Sequence, residues 1–362
     1  VGLLAVYSST GTLAYKQQGG NTEFYLIKQV VFIAIGLFLI YLCHKVNYKY
    51  YSKISQILLF ITPFLLIYTL FFGTEINDAS RWITIPLTGI TFQTSDLAKL
   101  SLIMYVARFL SKKQDDIKDF KKSFLPIIGW ISLICVLIAP ANLSTALVLF
   151  FTCLILLFLG RINMLHLSAL VLIGLVSGII FAFVIFKLPD DKIKNIARLS
   201  TWKHRIETFM ATDNSENENG EITLDDGSYQ NQQAKIAIAN GGLFGKGPGK
   251  STQRNFLPHP YSDFIFAIIL EEYGLIGGVF VILAYLILLF RSILIVKNSP
   301  KAFGALLAFG LSLSLVIQAF INMGVAVNIF PVTGLPLPLV SMGGTSMIFT
   351  SIAFGIILSV SR

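Results

Sequence analysis

Ten apolar runs, nearly all long enough to cross a bilayer, leave this chain few folds to choose from. They lie near residues 1–15, 24–43, 54–72, 95–110, 124–140, 143–160, 165–186, 263–290, 302–327 and 340–360. A hydrocarbon core about 30 Å thick takes roughly 20 helical residues to cross. Within it every backbone N–H and C=O needs a partner, so only helices and closed barrels span. Barrel strands alternate polar and apolar residues, whereas these runs are continuous. The predicted fold is therefore all-α: a polytopic integral membrane protein with about ten transmembrane helices, read as one membrane domain over 1–362. Only 13% of the residues are charged and the mean hydropathy is +0.74, which excludes an ordinary soluble domain. The first run, Val1 to Ala14, is short for a span, so residues are expected upstream of it. Cys43, Cys135 and Cys153 all fall inside apolar runs, where free thiols are expected in place of a disulfide framework or metal site.

Charge sets the orientation. The loops holding Lys45, Lys49 and Lys53, then Lys112, Lys113, Lys118, Lys121 and Lys122, then Arg161, then Arg291, Lys297 and Lys301 are short and basic. Such loops stay in the cytoplasm. The alternate set, 16–23, 73–94, 187–262 and 328–339, then faces outward, and both termini face inward. The net charge of +9 is accounted for this way, with no nucleic acid required. No internal repeat is visible, which counts against an inverted-repeat transporter.

One large extracytoplasmic loop, 187–262, interrupts the apolar pattern. Residues 187–212 are basic and amphipathic, suited either to anchoring a span end or to meeting an anionic lipid phosphate. Residues 213–227 are acidic and turn-forming. Residues 228–262 carry a helix-like piece, Gln230 to Ala239, running into GLFGKGPGKST. This is not a P-loop, because Phe244 occupies the position of the first glycine. Gly-x-Gly-x-x-Gly fails too, at Lys250. Two readings of the turn stand: a phosphate cradle made of backbone N–H groups with Lys246 and Lys250, or a tight re-entry turn.

Ionisable groups inside spans cost about 2.5–3.5 kcal/mol each and are functional candidates by default. Here they are Asp96, Lys99, Arg108, Asp263, Glu271 and Glu272. Asp96 and Lys99 are spaced to pair on one helix face. Arg108 suits a topology anchor. Asp263 stands at the threshold of the eighth run, where a helix N-cap is the plain alternative to chemistry. Glu271 lies about 80° past two full helical turns from Asp263. His44, His166, His204 and His259 are scattered without metal-ligand spacing. An outward cavity with a carboxylate and nearby cations suits a lipid-linked anionic substrate.

Four stretches then match a known pattern in order and spacing: ASRWITIPLTGITFQTSDLAKL, NQQAKIAIANGGLFGKGPGKS, LPHPYSDFIFAIILEEYGLIGG and FPVTGLPLPLVSMGGTSM. They closely resemble the SEDS family of shape, elongation, division and sporulation proteins, over nearly the whole chain. The resemblance implies a ten-span fold that polymerises lipid II into peptidoglycan glycan strands beside a single-span class B penicillin-binding protein transpeptidase. The wording is closer to the division branch than to the elongation branch. It implies that Asp263 is catalytic, with Arg81, Trp82 and Lys99 at positions that match the family. Lys246, Glu271 and Glu272 join them as substrate-binding candidates. Asp96 stands where the family usually has Glu, and Leu97 where it has Phe. Asn142 replaces a family carboxylate, so no charged role is expected there. Tyr261 and Ser262 replace His-Thr, so no histidine is required at that place.

On this reading Asp263 deprotonates or positions the acceptor hydroxyl. Arg81, Lys99 and Lys246 are candidates to neutralise the departing polyprenyl pyrophosphate. A divalent cation, magnesium or manganese, could share that task, although no ligand cluster marks its place. A lipid II flippase using Asp96, Lys99, Glu271 and Glu272 as a polar path, and a divisome scaffold, are the alternatives.

Overall fold

The structure, a computed structural model, describes residues 2–11, 13, 22–75, 80–84, 91–187, 202–203, 226–257 and 260–362. A helix stands in each of the ten apolar runs. They are α1 (Gly2–Ser9), α2 (Thr22–Lys45), α3 (Tyr48–Phe72) and α4 (Thr94–Lys112), then α5 (Leu125–Ile138), α6 (Leu143–Leu159) and α7 (Met164–Lys187). After the long loop, which contributes α8 (Asp226–Gly241), come α9 (Ile265–Asn298), α10 (Ala302–Ala326) and α11 (Gly344–Ser361). Among the described residues, seven helices are long and apolar enough to cross a membrane by length and composition alone. The predicted basic helix within 187–212 and the acidic stretch 213–227 fall almost wholly outside the described residues, as do His204 and His259.

Caps and breaks explain the helix ends. Asn47 and Asn142 open α3 and α6 by accepting from the backbone N–H of Lys49 and Thr145, each at 3.1 Å. A π turn, Phe120–Phe124, leads into α5, with Asp119 accepting from Lys121 N and Lys122 N at 2.9 and 3.0 Å. The loop between α3 and α4 was not expected to hold strands. It forms a small antiparallel sheet of β1 (Thr74–Glu75), β2 (Ser80–Thr84) and β3 (Thr91–Gln93), in that order. Strands of five residues or fewer are too short for an alternating pattern to stand out of a loop.

The chain divides into two compact units. The first comprises Val1–Ile27, Val171–Ile282 and Phe320–Met342, the second Lys28–Leu170, Leu283–Ala319 and Gly343–Arg362. In the second unit α4 is the central helix: 13 of its 19 residues are buried. Leu102, Ile103 and Met104 pack there with the Ile127, Ile131, Ile134 and Ile138 stripe of α5 and with Leu149 and Leu156 of α6. That enclosure is why α4 tolerates Asp96, Lys99 and Arg108, which lipid would reject. Close approach and hydroxyls hold the helices together, as expected where lipid supplies no hydrophobic drive. Thr62 of α3 meets Ser101 of α4 at 3.0 Å, and Ser292 of α9 donates to Ser312 of α10 at 2.5 Å. The three cysteines are free thiols.

Candidate active site around Asp263

In the first unit a turn over residues 260–264 delivers Asp263 to the start of α9. Three successive carbonyls of this turn are each held by a different donor. Met342 N donates to Tyr261 O at 2.9 Å, Ser341 Oγ to Ser262 O at 2.7 Å, and Asn322 Nδ2 to Asp263 O at 3.0 Å. The donors are themselves fixed. Asn322 Nδ2 also reaches Leu335 O at 2.7 Å, and Ser341 Oγ accepts from Leu337 N at 2.8 Å. Both side chains are buried. The last loop before α11 and the end of α10 therefore clamp the backbone beneath Asp263. The carboxylate itself is half-buried, and its Oδ1 accepts from Ser262 Oγ at 3.0 Å. Burial, and then the neighbouring Asp263 charge, raise the Tyr261 phenol, so it stays protonated at neutral pH. The helix opens on the carbonyl of Phe264, which accepts from Ala267 N and Ile268 N, so the cap position falls one residue beyond Asp263.

Sequence reading missed Asn322 and Ser341. Ser341 was noticed only within a small-residue run, and Asn322 is an isolated amide in an apolar span, a weak signal that polar residues at membrane depth have work to do. Asn322→Ala removes the donor from two carbonyls at once. Displacing a reacting group by about 1 Å can cost on the order of 10²-fold in rate. If Asp263 is the reacting group, kcat should fall by about that factor with little change in KM; a wild-type kcat would show that the clamp is not needed for positioning.

The Gly-rich loop is closed onto a break in α9. Gly274 has φ 65° and ψ −170°, so the helix cannot continue through it. The loop supplies what the break leaves unpaired. Lys246 N and Gly247 N donate to the carbonyls of Glu271 and Glu272, both at 2.9 Å, while Leu275 N and Ile276 N donate to Gly242 O and Leu243 O. A Cβ at Gly274 or Gly245 would run into the backbone of the other segment. The amides that a phosphate cradle would need are thus spent on α9, which favours the re-entry turn.

The two glutamates sit beneath this loop and are fully buried. Glu271 accepts from Lys246 Nζ at 2.8 Å, Thr252 Oγ1 at 2.8 Å, Thr252 N and Gln253 N at 3.2 Å, and Ser251 Oγ. Glu272 accepts from Ser8 Oγ of α1, and Arg254 donates to the same Ser8 through its carbonyl and hydroxyl, at 3.0 Å each. Lys246, Glu271 and Glu272 are therefore grouped with Asp263 in one unit, and their bonds tie α1, the loop and α9 together.

Arg81, Trp82, Asp96 and Lys99 belong to the second unit. Arg81 Nε donates to Ala141 O at 2.7 Å, next to the Asn142 cap. Trp82 pairs with Gln93 and Thr74 in the small sheet. Lys99 Nζ meets Asp96 Oδ1 at 2.8 Å and Gln318 Oε1 at 3.0 Å, the pairing its spacing predicts. These three line a cavity of about 40 Å³ with Ser314, Ser346 and Thr350, room enough for water. Asp96 Oδ2 is buried without a hydrogen-bond partner, so a water in that cavity would satisfy it. Arg108 donates to the carbonyl and hydroxyl of Ser52, joining α4 to the start of α3. Among the described residues no group of three or more His, Cys, Asp or Glu could hold a metal ion.

A family profile described as "Cell cycle protein", for FtsW, RodA and SpoVE, matches residues 1–362. Stage V sporulation protein E of Bacillus subtilis is 35% identical over 368 residues, covering 100% of this chain and 93% of that protein. A probable peptidoglycan glycosyltransferase FtsW of Geobacter sulfurreducens is 31% identical over 365 residues, covering 99% and 91%. Among solved structures, the rod shape determining protein RodA of Thermus thermophilus superposes with a TM-score of 0.65 at 25% identity, covering 99% of this chain and 94% of that one. A chain from a peptidoglycan synthase complex that coordinates polymerization and crosslinking has the same fold, with a TM-score of 0.73 at 24% identity over 99% and 96% of the two chains.

Proposed function

We propose, from the premise that this chain belongs to the cell cycle protein family of FtsW, RodA and SpoVE, that it is a peptidoglycan glycosyltransferase polymerising lipid II during cell division. The observation that carries the reading is the half-buried Asp263 carboxylate, presented on a turn whose three carbonyls are clamped. The acceptor sugar's 4-hydroxyl oxygen attacks the anomeric carbon of the donor. The bond from that carbon to the phosphate oxygen breaks, and polyprenyl pyrophosphate leaves with the electron pair. Asp263 takes the hydroxyl proton. A clamped turn suits this role, because a base that need not be reoriented loses little on reaching the transition state. Attack opposite the leaving group inverts the anomeric centre.

The pyrophosphate needs cations. Lys246, Arg81 and Lys99 are the candidates. Lys246 is already paired with Glu271 and Lys99 with Asp96, so the net field of each is reduced. The positive charge of the α2–α3 and α9–α10 connections supports a cytoplasmic side for them and an outer side for the Asp263 end of α9, in a bacterial inner membrane. A class B penicillin-binding protein is the proposed partner, crosslinking the strands made here.

The test is polymerisation of labelled lipid II by the protein purified with its cognate transpeptidase. Glycan strands on a gel are the expected result. A folded complex that makes none from intact lipid II, yet moves it between leaflets of vesicles, would replace the polymerase reading with the flippase.

A further inference from the structure

The ends of α2, α3, α9 and α11 line a half-open cavity of about 1170 Å³ in the second unit. It exceeds the roughly 300–1,000 Å³ that holds a drug-sized molecule. His44, Lys45, Lys49, Arg291 and Arg362 line it, and among the described residues no Asp or Glu does. Basic ends are expected on this side of the membrane, so cations alone carry nothing. The neighbouring α4–α5 connection gives the contrast. Its lysines are interleaved with Asp115, Asp116 and Asp119, and Lys122 pairs with Asp116 at 3.3 Å. Hydrogen bonds from Lys122 N and Lys121 N hold the Asp119 carboxyl below its ordinary range, so it stays ionised beside those lysines. Three carboxylates offset part of the positive charge in that loop, whereas among the described residues no Asp or Glu offsets the cations of the cavity.

The cavity walls are mixed, with an apolar part. Ile287, Leu288, Ile295 and Phe354 stand behind the cations. Outside the lining, Tyr41 and Leu42 of α2 and Phe290 of α9 are exposed, which in a bilayer means facing acyl chains. A cationic rim above an apolar wall matches an amphiphile with an anionic head, and basic pockets between spans take such headgroups. We propose that this cavity binds an anionic glycerophospholipid. Its phosphate sits against Lys45, Lys49 and Arg291, and its chains run along α2 and α9. The site shares no residue with the Asp263 turn and does not depend on its chemistry.

The test uses the full chain in neutral detergent, with native mass spectrometry counting bound phosphatidylglycerol, phosphatidylcholine or inorganic phosphate. Phosphatidylglycerol is expected to bind where phosphatidylcholine does not. Replacing Lys45, Lys49 and Arg291 together with Gln should weaken it by about a hundredfold. All three are exposed, so the variant should melt with wild type. The control is Lys112, Lys113 and Lys118 replaced with Gln, which should bind normally. An equal loss in the control would reduce the site to diffuse charge, equal binding of phosphatidylcholine would remove the headgroup preference, and displacement by inorganic phosphate would make it a free-anion site. Any of the three overturns the proposal.

Discussion

Asp263→Asn should lower lipid II polymerisation by about 10²–10⁴-fold, the usual contribution of a positioned proton acceptor. KM for lipid II and the melting temperature should stay close to wild type. The amide has the shape of the carboxylate but cannot take the hydroxyl proton. The surroundings are arranged so that little else changes. Met342 N, Ser341 Oγ and Asn322 Nδ2 hold backbone carbonyls of the turn and make none of those bonds to the Asp263 side chain. Ser262 Oγ donates to Oδ1, which an asparagine retains. Helix α9 opens on the Phe264 carbonyl, so it does not rest on Asp263 as its cap. Asp263→Glu should fall between the two, since it keeps a base but moves it by about one methylene out of register. Strand synthesis by Asp263→Asn at more than a tenth of the wild-type rate would sink the proton-acceptor role.

The ten spans could be read from the chain because hydrophobicity is a property of composition over long windows, and the bilayer demands length. The helix-like piece ahead of the Gly-rich turn showed for a similar reason, and α8 covers it. The Asp96–Lys99 pair was visible because three residues along a helix are neighbours whatever the tertiary fold. What could not be read was non-local. Nothing near Asp263 in sequence says that residues 59 and 79 positions downstream of Asp263 and Ser262 hold their carbonyls. By sequence alone Glu271 and Glu272 are substrate-binding candidates. Their donors arrive from Lys246, Ser251, Thr252, Gln253 and Ser8, through a helix break at Gly274 that a continuous apolar run conceals. The small sheet around Trp82 was lost because its strands are shorter than the pattern that announces strands.

Glu271→Ala is expected to be the most destabilising single change in the first unit. The carboxylate is wholly buried and its two oxygens accept five hydrogen bonds, one from the Lys246 ammonium. Removing one partner of a buried ion pair costs about 3–5 kcal/mol, because the remaining groups stay desolvated and unpaired. A fall of roughly 10 °C in melting temperature corresponds to that loss. Glu271→Gln should fall less far: it fills the same space and keeps one acceptor, but turns an N–H group toward a ring of donors. Lys246→Ala should be milder still, since its ammonium is 31% exposed and Glu271 retains its neutral donors. This order, Glu271→Ala beyond Glu271→Gln beyond Lys246→Ala, belongs to a carboxylate that staples the Gly-rich loop to α9. A carboxylate kept for substrate gives another order. There the alanine variant would melt with wild type or above it, because a buried charge would be gone, and the loss would appear as a raised KM for lipid II. Thermal unfolding beside KM for the three variants therefore decides whether Glu271 builds the floor of the site or belongs to the surface that lipid II touches.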